Sequence, residues 1–121
     1  MQYMLLINSS EEGWATLTDE QRNEMHAAYG AFTEEIRAKG VMVGGDQLAA
    51  SSDATTVRIR DGETLVTDGP FAETKEQLGG YYLIEVESLD DAIEWAARIP
   101  GARYGVIEVR PVVTQPAEVA G

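Results

Sequence analysis

Cysteine is absent from the 121 residues, so the chain offers no disulfide, no thiolate nucleophile and no zinc-finger ligand set. Positive charge is scarce. Nine Lys and Arg stand against 21 Asp and Glu, and the net charge of −12 repels phosphate backbones, which argues against nucleic acid as a partner. Histidine occurs once, as His26. Long apolar runs are missing too, and the opening MQYMLLINSS has no basic leader, so it reads as a first strand rather than a signal peptide or a membrane span. A cytoplasmic protein that binds no membrane is the expectation. There is no GxGxxG or P-loop pattern, no EF-hand loop and no dense ligand spacing, so neither a cofactor nor a metal is expected.

What is present suits one folded domain. An apolar fraction of 44% and a charged fraction of 25% are those of an ordinary globular chain, and the length leaves no room for a second domain. We read residues 1–113 as that domain and 114–121, TQPAEVAG, as a polar tail without periodicity.

YMLLI (3–7) is a short apolar run ended by Asn8, Ser9 and Ser10, a strand pattern. Thr18 and Gln21 are spaced as a capping box, and Arg37, Lys39 and Gly40 make a helix stop; between them Met25, Ala28, Tyr29, Phe32 and Ile36 recur at helical intervals. VMVGG (41–45) predicts a second strand, with loop after it. TTVRIR and ETLVT flank Asp61-Gly62, a dipeptide suited to the positive φ angles of a two-residue hairpin turn. YYLIEVE (81–87) alternates as a strand, Ser88 and Asp91 open a second helix that Pro100-Gly101 ends, and YGVIEVRPVV (104–113) is the last strand. The order predicts an α+β fold: a ferredoxin-like βαββαβ core with an inserted β-hairpin.

If the helices cover Tyr82, Ile84, Val86, Ile107 and Val109, the other face of the sheet carries Met4, Leu6, Tyr81, Leu83 and Val106 beside Glu85, Glu108 and Arg110. A soluble monomer rarely leaves so large an apolar face in water, so a homodimer packed sheet to sheet is expected. Charged side chains caught on that face would pair or line a cavity, where a small-molecule ligand is the natural occupant.

The run VTDGPFAETKEQLGGYYLIEVESLDDAIEWAARIP, with IEVRPV after it, resembles the DGPF group of the YCII-related proteins, and the likeness extends over nearly the whole chain. The resemblance implies a dimeric α+β barrel, a fold shared by isomerases, small monooxygenases and chlorite-dismutase-like proteins, so it constrains the chemistry little. It also implies an active site built on a histidine and an aspartate, and a setting beside extracytoplasmic-function sigma factors. Only His26 can supply the histidine; the aspartate is either Asp46, after Gly44-Gly45, or Asp68 of the motif.

Each candidate has a bland alternative. His26 is the one side chain suited to proton transfer near neutrality, but a lone histidine at the edge of a helix stripe is also what an idle surface residue looks like. Asp68-Gly69-Pro70 suits a tight turn, which leaves Phe71 and the Glu73-Thr74-Lys75-Glu76 cluster unexplained and favours a turn that also shapes a pocket wall. Lys75 is either a solvated ion-pair partner or a cation for an anionic ligand group. Gly79-Gly80 reads as a bulge or a close backbone approach. The candidates are therefore His26 and Asp68 for proton transfer, and Asp46, Phe71, Glu73, Lys75, Tyr81 and Arg110 for ligand binding. Two functions follow as expectations: a cofactor-independent acid–base enzyme acting on a small organic molecule, or a non-catalytic binder linked to sigma-factor regulation.

Overall fold

The computed structural model describes residues 1–113, so the tail assigned to 114–121 lies outside the described residues. In chain order the elements are β1 (Gln2–Ser9), α1 (Glu11–Ala15), α2 (Asp19–Ala38), β2 (Met42–Gln47), β3 (Thr55–Arg60), β4 (Glu63–Asp68), β5 (Gln77–Glu85), α3 (Leu89–Arg98) and β6 (Val106–Pro111). Four strands form one antiparallel sheet in the order β2-β5-β1-β6, and β3 and β4 form a separate two-stranded sheet. This is the ferredoxin-like order with the hairpin inserted. Within the chain the sheet stays open and closes no barrel.

Both long helices start where their capping chemistry puts them. Thr18 accepts from the Gln21 amide while the Gln21 side chain accepts from the Thr18 amide, and Gly40, at φ +71°, stops α2. Ser88 accepts from the Asp91 amide at 3.2 Å and starts α3. The helices lie on one sheet face, and the core between them holds Tyr3, Leu5, Phe32, Ile36, Tyr82, Ile84, Ala92, Ala96 and Ile99. Phe32 meets the rings of Tyr82 and Trp95 edge-on, and Thr33 and Tyr82 share a 2.7 Å hydrogen bond that satisfies the hydroxyl of the buried Tyr82. Of the predicted α2 stripe, Phe32 and Ile36 are buried, Met25 and Tyr29 are half-buried, and Ala28 is exposed. No helix is long and apolar enough to cross a membrane, among the described residues.

Several boundaries differ from the sequence reading. The five-residue α1 was not foreseen, because EEGWA is too short for a periodic pattern and contains a glycine. β2 runs through Gly44-Gly45 to Gln47, and β5 begins at Gln77, four residues before Tyr81, because both glycine pairs continue their strands. At Gly80 a Cβ would stand 2.9 Å from the Asp46 carbonyl oxygen, so the two strands approach this closely only because there is none. Gly79 is bulged out: Ile7 pairs with Gly80, and the next residue, Asn8, pairs with Leu78. The hairpin turns where predicted, with Asp61 at φ +51° and Gly62 at +78°.

Candidate functional site

Alternation along the strands fixes the open face of the sheet. Met4, Leu6, Tyr81, Leu83 and Val106 lie there with Glu85, Glu108 and Arg110, as the sequence pattern implied. The register sets two rows across it: Asp46, Tyr81, Leu6 and Glu108, then Gly44, Leu83, Met4 and Arg110. A third row, Leu78, Asn8 and Val106, follows past the bulge.

Two polar pairs stand in this apolar field. The Tyr81 hydroxyl donates to Asp46 Oδ2 at 3.0 Å, which raises the Tyr81 pKa above its ordinary 10.0, since ionisation would break the bond and set two negative charges together. Arg110 pairs with Glu108 on β6. Sequence reading had singled out Asp46, Tyr81 and Arg110 but not the first pair, which depends on the β2–β5 register and on the extra residue Val43 that shifts it.

The segment after β4 builds a wall. Gly69, at φ +98°, donates its amide to the Ala54 carbonyl at 2.7 Å, and the Thr56 hydroxyl donates to the Gly69 carbonyl at 2.8 Å. These bonds turn the chain out of the hairpin. Residues 70–78 then run opposite residues 48–54, and the two stretches enclose an open groove of about 650 Å³. Leu48, Phe71 and Leu78 give it apolar lining, while Asn8, Glu73 and Gln77 supply polar groups. Phe71 is 80% exposed, an apolar ring held out at the groove rather than packed in the core.

A neighbouring hollow of about 500 Å³ lies between α1 and the same segment and is lined by Ser10, Glu11, Glu12, Ser51, Glu73, Thr74, Lys75 and Gln77. Glu11 fixes its rim: its carboxylate accepts from the Ser51 amide at 2.7 Å and from the Ser51 hydroxyl at 2.6 Å, and its own amide donates to Gln77 Oε1 at 2.9 Å. This clasp between three segments was not foreseen, since nothing local marks residues 40 apart as partners. Lys75 is exposed and forms no ion pair with a carboxylate within 4.0 Å among the described residues.

The candidates thus fall into separate groups. Phe71, Glu73 and Lys75 line the two adjoining hollows. Asp46, Tyr81 and Arg110 stand on the open sheet face. Asp68 is the exposed last residue of β4, paired with Thr55. His26 is exposed on α2, its ring 5.5 Å from that of Trp14, and it lines neither hollow. No cluster of three or more potential metal ligands occurs among the described residues.

Comparison with known proteins finds relatives along nearly the whole chain. An uncharacterised protein of Rhizobium meliloti (strain 1021) is 36% identical over 114 residues, covering 93% of this chain and 92% of its own. The family model of the YCII-related domain matches residues 1–115, nearly the full length. The chain belongs to the YCII-related family.

Proposed function

We propose that the protein is a homodimeric small-molecule binder, with its ligand held in the groove between residues 48–54 and 70–78 and reaching the open face of the sheet. The observation that carries this reading is the use made of the TDGPF segment. Its turn is tied by Gly69 and Thr56, and the residues that follow serve no core; they wall a groove of about 650 Å³, the usual size for an organic ligand. Leu48, Phe71 and Leu78 suit an apolar body, and the adjoining hollow, with Lys75 among Glu11, Glu12 and Glu73, suits a polar end that both donates and accepts. Sheet-to-sheet pairing of two copies removes Met4, Leu6, Leu83 and Val106 from water. Beside an extracytoplasmic-function sigma factor, the setting that the family resemblance implies, such a ligand would act as a signal.

A second reading makes the ligand a substrate for acid–base turnover without a cofactor. It is favoured by the Tyr81–Asp46 bond, a proton-bearing hydroxyl against a carboxylate on the face that a dimer would desolvate. Asp68, solvent-facing at the end of β4 beside the Gly69 turn, is a further proton carrier in this reading.

A small-fragment library screened by protein-observed NMR tests both. Saturable shifts at Phe71, Lys75 and Leu78 that vanish in Phe71→Ala support binding. Fragments that bind only elsewhere overturn the groove. Chemical change of a bound fragment, lost in Asp68→Asn or Asp46→Asn with the fold intact, selects turnover; binding without change selects the signal reading.

A further inference from the structure

The hairpin is the part of the molecule that the chain's own core does not use. Among the described residues β3 and β4 pair only with each other, and Val57, Ile59 and Val66 share one face at 59%, 66% and 63% exposure. Thr55, Thr64 and Asp68 complete that face, so its single charge sits at the base. A lone two-stranded ribbon is marginal in water, and an uncovered apolar face on one calls for a partner surface.

Position and area indicate which partner. The hairpin leaves the body at Ala54 and Gly69, and Ala54 and Pro70 border the groove that also holds Leu78 and Asn8 of the open sheet face. The arm therefore springs from the margin of that face. Four strands spaced about 4.8 Å apart and sharing about five residues give the face a footprint on the order of 300 Å². A stable interface needs about 800 Å² from each partner. That projected footprint is small for such an interface, and the arm adds uncovered apolar surface at the margin of the face, next to the exposed Leu48, Phe71 and Leu78 of the groove. Charge permits the meeting of two copies at −12 each, because the arm's apolar face bears only Asp68, at its base, and Arg60 on the reverse stands opposite Glu63.

We propose that the β3–β4 hairpin is a dimerisation arm: in a two-fold dimer, Val57, Ile59 and Val66 of each chain pack on the second copy and extend the sheet-to-sheet contact. The inference rests on the homodimer of the proposed function. A two-fold arrangement uses each arm once, so loss of the arm's apolar face is felt twice.

Sedimentation equilibrium on the full chain and three variants tests it. The first is Val57→Ser/Ile59→Ser/Val66→Ser. The second deletes residues 55–68 and joins Ala54 directly to Gly69, whose 2.7 Å bond shows the ends already adjacent, so the four-stranded sheet need not change. The third, Leu83→Glu, charges the sheet face alone. The parent chain should be a dimer, both hairpin variants should weaken it about a hundredfold, the serine variant with unchanged far-ultraviolet circular dichroism and the deletion with a loss no larger than the strand content of the hairpin, and Leu83→Glu should give monomers. Hairpin variants that dimerise like the parent, while Leu83→Glu does not, overturn the arm and keep the sheet contact. Weakening by the hairpin variants but not by Leu83→Glu keeps the arm and overturns the sheet contact. A monomeric parent chain overturns both.

Discussion

Tyr81 and Asp46 face each other across the β5–β2 pairing, and the phenol holds its proton against the carboxylate at 3.0 Å. The hydrogen bond is the first cause of the raised Tyr81 pKa and the charge of Asp46 the second. A pKa higher in the folded state than in the unfolded one means that the pair stabilises the fold fully below about pH 10 and loses that contribution as the pH rises through the folded value. Ultraviolet titration of the phenolates should show two tyrosines, Tyr81 and the buried Tyr29, ionising later than the ordinary range, and it is the Tyr81 step that reports on this pair. Asp46→Ala should bring it back, and an unchanged titration curve in that variant would refute the assignment.

Glu11 clasps Ser51 through two short bonds and so holds α1 against the 48–54 stretch. Glu11→Ala should cost about 1–2 kcal/mol, toward the lower end for charge-assisted bonds because the site is half-exposed. Urea denaturation measures the loss. Amide exchange at Ser51 should speed up while exchange in β1 and β5 changes only as far as global stability does.

Tyr29 accepts the Gly101 amide at 3.1 Å, and burial is the main reason that its pKa is raised. Tyr29→Phe keeps the ring and removes the acceptor, leaving an amide of the buried Gly101 without a partner at a cost of about 1–3 kcal/mol. A drop of that size in denaturant-derived stability checks it; no drop would mean that water reaches the amide.

Phe71 contributes little to the fold at 80% exposure. Phe71→Ala should shift stability by no more than about 0.5 kcal/mol while weakening any fragment bound in the groove about tenfold. Thermal melts and NMR titrations on the same samples separate the two effects.

The fold was legible wherever local chemistry and global packing agreed. The Thr18 box, the Gly40 stop, the Asp61-Gly62 turn and the alternation of 81–86 each carry their instruction within a few residues, and each element formed there. The elements that differed depend on tertiary contact. α1 is held by the Glu11 clasp, and the glycine pairs stay extended because neighbouring strands pair with them. At the candidate site, the prominence of Phe71, Glu73 and Lys75 could be read from the motif, since turn chemistry left them unexplained. Their grouping could not, because residues 48–54, which complete the groove, carry no motif. The Asp46–Tyr81 pairing was hidden for another reason: it follows from strand register, which no short window encodes.

The bulge at Gly79 acts on β5 as a frameshift acts on a reading frame. Downstream of it, Tyr81 and Leu83 face outward; upstream, the extra residue resets the alternation, so that Leu78 joins the open face beside Asn8 and Gln77 turns toward the Glu11 amide. Drawing Gly79 into the ladder as a paired residue would exchange the roles of Leu78 and Gln77, stripping the groove of its apolar floor and α1 of its anchor at once. The bulge is therefore under tighter constraint than the identity of its residue: a Cβ added at Gly79 comes no closer than 3.9 Å to its nearest neighbour, whereas pairing Gly79 in the ladder rewrites everything that arrives before it.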